Sequence, residues 1–210
     1  MKKMFFALLL ISTVSQAQYR FRYDKLFIEA GVGLAVPLSN ISPEGEGNSL
    51  SITHAQGSLR YMLSENVGLL GSLSFDQFSN KLERQSEQKL ATLELCYNLG
   101  NAIDLSRSSG GQFGLLVHAG GGIGQMSSDD DYSDLVGAFI VGAKPYIAIN
   151  EKVSFFADLS YKAIVEQNVY YNGLKTPYSS SNALSSSQLA LTFGIIVALG
   201  QNRFHADSAY

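Results

Sequence analysis

The chain has 210 residues, a formal net charge of −3, and 46% hydrophobic against 16% charged residues. That length suits a single domain, and the lack of a basic excess argues against nucleic acid as a partner. Cys96 is the single cysteine, which excludes an intramolecular disulfide, and a small buried filler is the reading its surroundings favour.

The N-terminus carries Lys2 and Lys3, then the apolar run from Met4 to Ile11, then the small-residue exit Ser12 to Ala17. Charge, a short apolar core and a small-residue exit make a secretory signal peptide over residues 1–17, with cleavage expected after Ala17. The apolar run is too short to span a membrane as a helix. No cysteine lies near the expected cleavage site, which argues against a lipid anchor.

From there the pattern has period 2, the mark of strands with one apolar and one polar face. The first strand, 26–37, sets Leu26, Ile28, Ala30, Val32 and Leu34 against Glu29, Gly31 and Gly33. A long loop, 38–50, is followed by 51–63, where Leu59 and Tyr61 oppose His54, Ser58, Arg60 and Met62. After the short turn Ser64-Glu65-Asn66 comes 67–78, with Leu69, Leu73 and Phe75 against Ser72, Ser74 and Asp76. The fourth strand, 89–99, alternates Leu93, Leu95 and Tyr97 with Thr92, Glu94 and Cys96, and the fifth, 111–125, alternates Phe113 and Val117 with Leu116 and His118. Strands 135–149 and 153–166 are joined by the turn Asn150-Glu151-Lys152, and 187–200 is the last. The second of these is the clearest: Phe155, Ala157, Leu159 and Tyr161 on one face, Asp158, Ser160 and Lys162 on the other.

These segments outrun the ~5–6 residues usual for a soluble strand and meet the ~9–11 that a tilted membrane-spanning strand needs. Eight strands result, joined by alternating long and short connections, with 100–110 of intermediate length. Short periplasmic turns and longer outer loops produce that rhythm in an eight-stranded antiparallel up-and-down transmembrane β-barrel. The barrel domain is expected over 18–200, with a short periplasmic tail at 201–210. Tyr61, Tyr97, Phe113 and Phe155 fall where an interfacial aromatic girdle belongs. The alternative is a soluble, lipocalin-like ligand-binding barrel, in which the apolar face lines the inside. Strand length, girdle positions and polar-face glycines such as Gly31, Gly114 and Gly142 favour the membrane version.

The eight-strand pattern, with segments such as VGAKPYIAINEKVSFFADLSY and LTFGIIVALG, resembles the small outer-membrane barrels of the OmpA-like transmembrane superfamily, particularly the form common in Bacteroidota. The resemblance covers essentially the whole chain after the signal peptide. It implies outer-membrane localisation, membrane lipid and the barrel-assembly machinery as partners, a monomer, and no cofactor. The segment RFHADSAY is similar to a stretch that follows the barrel in larger relatives, where a wall-binding domain comes next. Strand eight departs from the common pattern by ending in Leu199-Gly200 rather than in an aromatic residue.

On the barrel reading Glu29, Arg60, Glu94, His118, Lys144, Asp158 and Lys162 face the lumen. Eight strands leave an interior that side chains fill, so these charges should form a paired network rather than line a pore. Counting outward from the two short turns places His54 opposite Asp76 and Lys144 opposite Asp158, unless Pro145 marks a bulge. No enzyme is expected: His118 faces inward, and neither His54 nor His205 has a nearby Ser/acid arrangement. Three scattered histidines and one cysteine lack metal-ligand spacing. HAGGGIG lies within a strand and opens no helix, so it is no nucleotide loop. The acidic loop 126–134 lacks the spacing of a calcium loop and reads as solvated. Tyr170, Tyr171 and Tyr178 in the long loop 167–186 are candidates for an extracellular interaction surface.

Overall fold

The computed structural model describes residues 24–39, 50–79, 85–128, 132–174, 184–200, 202 and 206–207. The expected signal peptide, the centre of the acidic loop, Tyr178 and His205 lie outside the described residues. Eight strands run in chain order: β1 (Leu26–Pro37), β2 (Leu50–Met62), β3 (Val67–Ser79), β4 (Gln85–Asn98), β5 (Phe113–Ser128), β6 (Ser133–Ala148), β7 (Val153–Gln167) and β8 (Leu184–Leu199). Each pairs antiparallel with the next, and β1 closes on β8 from Leu26↔Leu199 to Pro37↔Gln188. Closure leaves none of these strands as an edge with unpaired backbone groups.

Alternation decides which side chains enter the barrel, and closure shows which face is which. Leu93 (64% exposed), Leu95, Ile123, Val141, Leu159 and Phe193 cover the outside. Glu29, Arg60, Glu94, Lys144 and Asp158 are buried within. This is the inverse of a lipocalin-like barrel, so that alternative is overturned. A continuous apolar outer wall of this extent belongs against lipid.

The short turns are built by their side chains. Ser64 Oγ accepts from the backbone N–H of Val67 (3.0 Å), and Asn150 Oδ1 accepts from Lys152 and Val153 N–H, both at 2.9 Å. The connection after β4 folds into two single-turn helices, α1 (Leu99–Ala102) and α2 (Leu105–Ser108), with Asn98 Oδ1 capping the first. At the other end, β4 begins at Gln85, inside the loop expected over 79–88. From Gln85 to Lys89 both faces are polar, so the ladder continues where hydrophobic alternation has stopped.

Two apolar layers fill the barrel. Phe27, Met62, Leu70, Cys96, Leu116, Tyr146, Phe156 and Ile196 pack at the short-turn end; Phe78, Leu90, Met126, Ile164 and Tyr171 are among those near the long-loop end. Inward glycines make room for large neighbours. A Cβ on Gly114 would overlap the Tyr146 ring, and one on Gly142 the His118 ring.

Candidate functional site

Between the apolar layers lies a band of buried charge. Arg60 Nε donates to Glu29 Oε1 at 2.7 Å, and Lys144 Nζ donates to Glu29 Oε2 at 2.6 Å. Lys144 also lies 3.4 Å from Asp158 Oδ2. His118 Nδ1 is 2.5 Å from Glu94 Oε2 and its Nε2 3.1 Å from Asp158 Oδ1, so one imidazole links two carboxylates from different strands. Ser160 Oγ donates to Asp158 and Thr92 Oγ1 to Glu94. The charged residues and His118 are at most 4% exposed. Buried charges of this kind are tolerated because each lies against an oppositely charged or hydrogen-bonding side chain.

Lys162 belongs to a second group, 3.4 Å from Asp76 Oδ2 and the same from Ser74 Oγ. His54 faces Asp76 across the β2–β3 ladder with Nδ1 2.6 Å from Oδ1, and its Nε2 lies 2.8 Å from Thr192 Oγ1. Beside the Asp76 that register predicted, His54 therefore has a hydroxyl that the sequence did not reveal, because Thr192 arrives from β8 only when the barrel closes. The Asp–His–Thr order resembles a nucleophile relay. All three are at most 2% exposed, so the relay is closed to solvent.

Lys144 lies opposite Asp158 by register, since Ala143↔Leu159 and Tyr146↔Phe156 keep the same count on both sides of Pro145. Pro145 interrupts the ladder without inserting a bulge. Its neighbour's shorter contact is nevertheless to Glu29 on β1, a strand that is not adjacent.

One partner was not visible in the strand pattern. Asp207, beyond β8, grips the free side of Arg60, with Nη1–Oδ1 at 2.8 Å and Nη2–Oδ2 at 2.6 Å. Nothing in periodicity signals this, because the segment has no strand register.

The sequence profile described as "Outer membrane protein beta-barrel domain" matches residues 5–195. The chain belongs to this family. Its place is the outer membrane, where the strands span the bilayer and the apolar wall meets lipid. No curated protein sequence matches the chain significantly. Among solved structures it is similar to Neisserial surface protein A, at 12% identity and a TM-score of 0.56 over 83% of this chain and 97% of that one. A major outer membrane protein from Thermus thermophilus scores 0.49 at 12% identity, covering 85% and 100%. The N-terminal barrel of Pseudomonas aeruginosa OprF scores 0.48 at 16% identity, covering 83% and 99%. At 12% identity the likeness to Neisserial surface protein A is one of fold alone.

In this outer-membrane barrel the short turns mark the periplasmic end and the long loops the outside. The outward rings of Tyr61, Tyr97, Phe113 and Phe155 sit near the periplasmic turns, and Phe75 and Tyr161 nearer the loops. Of the loop tyrosines, Tyr170 is half-buried, but Tyr171 is fully buried and is not an exposed recognition residue. Its ring meets Phe78 edge-on at 4.8 Å, its hydroxyl donates to Gln188 Oε1 (3.2 Å) and its carbonyl accepts from Ser86 Oγ (2.7 Å). Burial pushes its phenol above the ordinary pKa. The loop turns inward here because Asn168 donates through both its backbone and side-chain nitrogens to Asp134 Oδ2, at 2.6 and 3.0 Å.

Proposed function

We propose that this outer-membrane barrel is a sealed structural or surface-interaction protein rather than an open pore or an enzyme. The observation that carries the reading is the buried band of Glu29, Arg60, Lys144, Asp158, His118 and Glu94, each at most 4% exposed, with apolar clusters packed beside it toward both ends of the barrel. A conducting lumen needs water and mobile ions along its axis, whereas these charges neutralise one another through direct contacts. Export through the signal peptide 1–17, insertion by the barrel-assembly machinery, a monomeric state and a place among the Bacteroidota-type barrels complete the proposal. The outer loops, with Tyr170 at the rim, are the surface on offer to extracellular partners. The purified protein in planar bilayers should show no stable conductance. A large, steady, water-filled conductance would overturn the sealed-barrel reading.

A further inference from the structure

Arg60 presents a prepared fork to the periplasmic mouth. Glu29 fixes its Nε, and the guanidinium carbon stacks 4.0 Å from the centroid of the Phe27 ring. Both supports come from the barrel itself, so the outer edge of the guanidinium, Nη1 and Nη2, is oriented without help from the segment beyond β8. That edge is matched to a carboxylate, which it binds through two parallel hydrogen bonds. The carboxylate comes from outside the strands, from Asp207.

The surroundings recognise backbone as well as charge. Ala206 N–H donates to the Asp24 carbonyl (3.1 Å), the Ala206 carbonyl accepts from Asn101 Nδ2 (3.3 Å), and the Asp207 carbonyl accepts from Tyr146 Oη (3.0 Å). Ala206 is fully buried in the same apolar layer as Phe27, Met62 and Cys96. The demands are thus a small side chain, two main-chain carbonyls and one carboxylate, which together describe an acidic peptide.

We propose that the periplasmic mouth is a peptide-carboxylate site, filled in cis by Ala206-Asp207, and that this segment is a releasable stopper whose place an acidic peptide of like sequence takes in trans. The site does not depend on whether the lumen above it conducts.

Cys96 is a native reporter, since it is the single cysteine, is 2% exposed, and belongs to the same apolar layer as Ala206. Folded protein in detergent would be labelled with a maleimide, using wild type, Asp207→Asn and a chain truncated after Asn202. Unheated gel mobility identifies the folded fraction, and only that band is scored. Loss of the charge-assisted bonds should speed labelling roughly tenfold or more, because local opening becomes easier. The peptide RFHADSAY added to the truncated protein should restore the slow rate, and the same peptide with Asn in place of Asp should not. Unchanged labelling in both folded variants would overturn the stopper. Equal protection by the two peptides would overturn carboxylate recognition. Should truncation prevent folding, Asp207→Asn with the same two peptides gives the same decision.

Discussion

Replacing Glu29 with glutamine tests whether the lumen charges hold the barrel together. Glu29 accepts from Arg60 at 2.7 Å and from Lys144 at 2.6 Å, and all three side chains are at most 1% exposed. Glutamine has the same shape, but it carries no charge and turns an N–H toward one of the two cations. Arg60 keeps both bonds to Asp207, so most of the loss falls on Lys144. Lys144 then keeps an ion-pair contact with Asp158 Oδ2 at 3.4 Å, without a hydrogen bond, and its place 5.0 Å from the centroid of the Phe156 ring. Breaking one side of a buried ion pair costs about 3–5 kcal/mol, and the retained Arg60–Asp207 pair places this case near the lower end, at about 3 kcal/mol. Urea unfolding from lipid vesicles measures the difference, followed by far-ultraviolet circular dichroism because the chain has no tryptophan. The exposed pair Lys89–Glu87, 3.3 Å apart with about half of each side chain accessible, is the control. Lys89→Gln should cost less than about 1 kcal/mol. Adding Lys144→Met to Glu29→Gln should recover part of the loss, because no unpaired buried cation remains. A Glu29→Gln effect no larger than that of Lys89→Gln would refute the structural role of the network.

Two further outcomes follow from the outer wall and the periplasmic rim. Leu159, 53% exposed on the lipid face, should lose about 2–4 kcal/mol on substitution by arginine if it lies near mid-bilayer, whereas a neutral result in the same vesicle assay would misplace the membrane. Asp24, outside the spanning strands, is pulled up by burial, but the Lys152 ammonium and the Asn202 hydrogen bonds outweigh this and hold its carboxyl below the ordinary 3.8. A depressed folded-state pKa means stability that is present above 3.8 and lost as pH falls through the folded value. The stability difference between wild type and Asp24→Asn should therefore shrink on acidification below about pH 4, and a constant difference would contradict the assignment.

The strands, their faces and the in-sheet neighbours were legible in the sequence because alternation and turn length are local quantities. Ser64-Glu65-Asn66 fixes the β2–β3 count, and with it His54 beside Asp76; Asn150-Glu151-Lys152 does the same for Lys144 and Asp158. Alternation is symmetrical between a barrel that is apolar outside and one that is apolar inside, so periodicity alone left the lipocalin-like arrangement open. Contacts across the lumen were also beyond it. Glu29 meets Lys144, and Thr192 meets His54, at positions set by how the closed sheet staggers its strands, a property of all eight together. The strand ends were misjudged where both faces turn polar, as at Gln85, since backbone pairing there carries no hydrophobic signal. Tyr171 and Asp207 belong to segments without a repeat, and only the finished barrel supplies the cavities into which they fold. Local pattern therefore determined the wall, and the tertiary structure decided what fills it, because interior packing depends on closure rather than on neighbours in the chain.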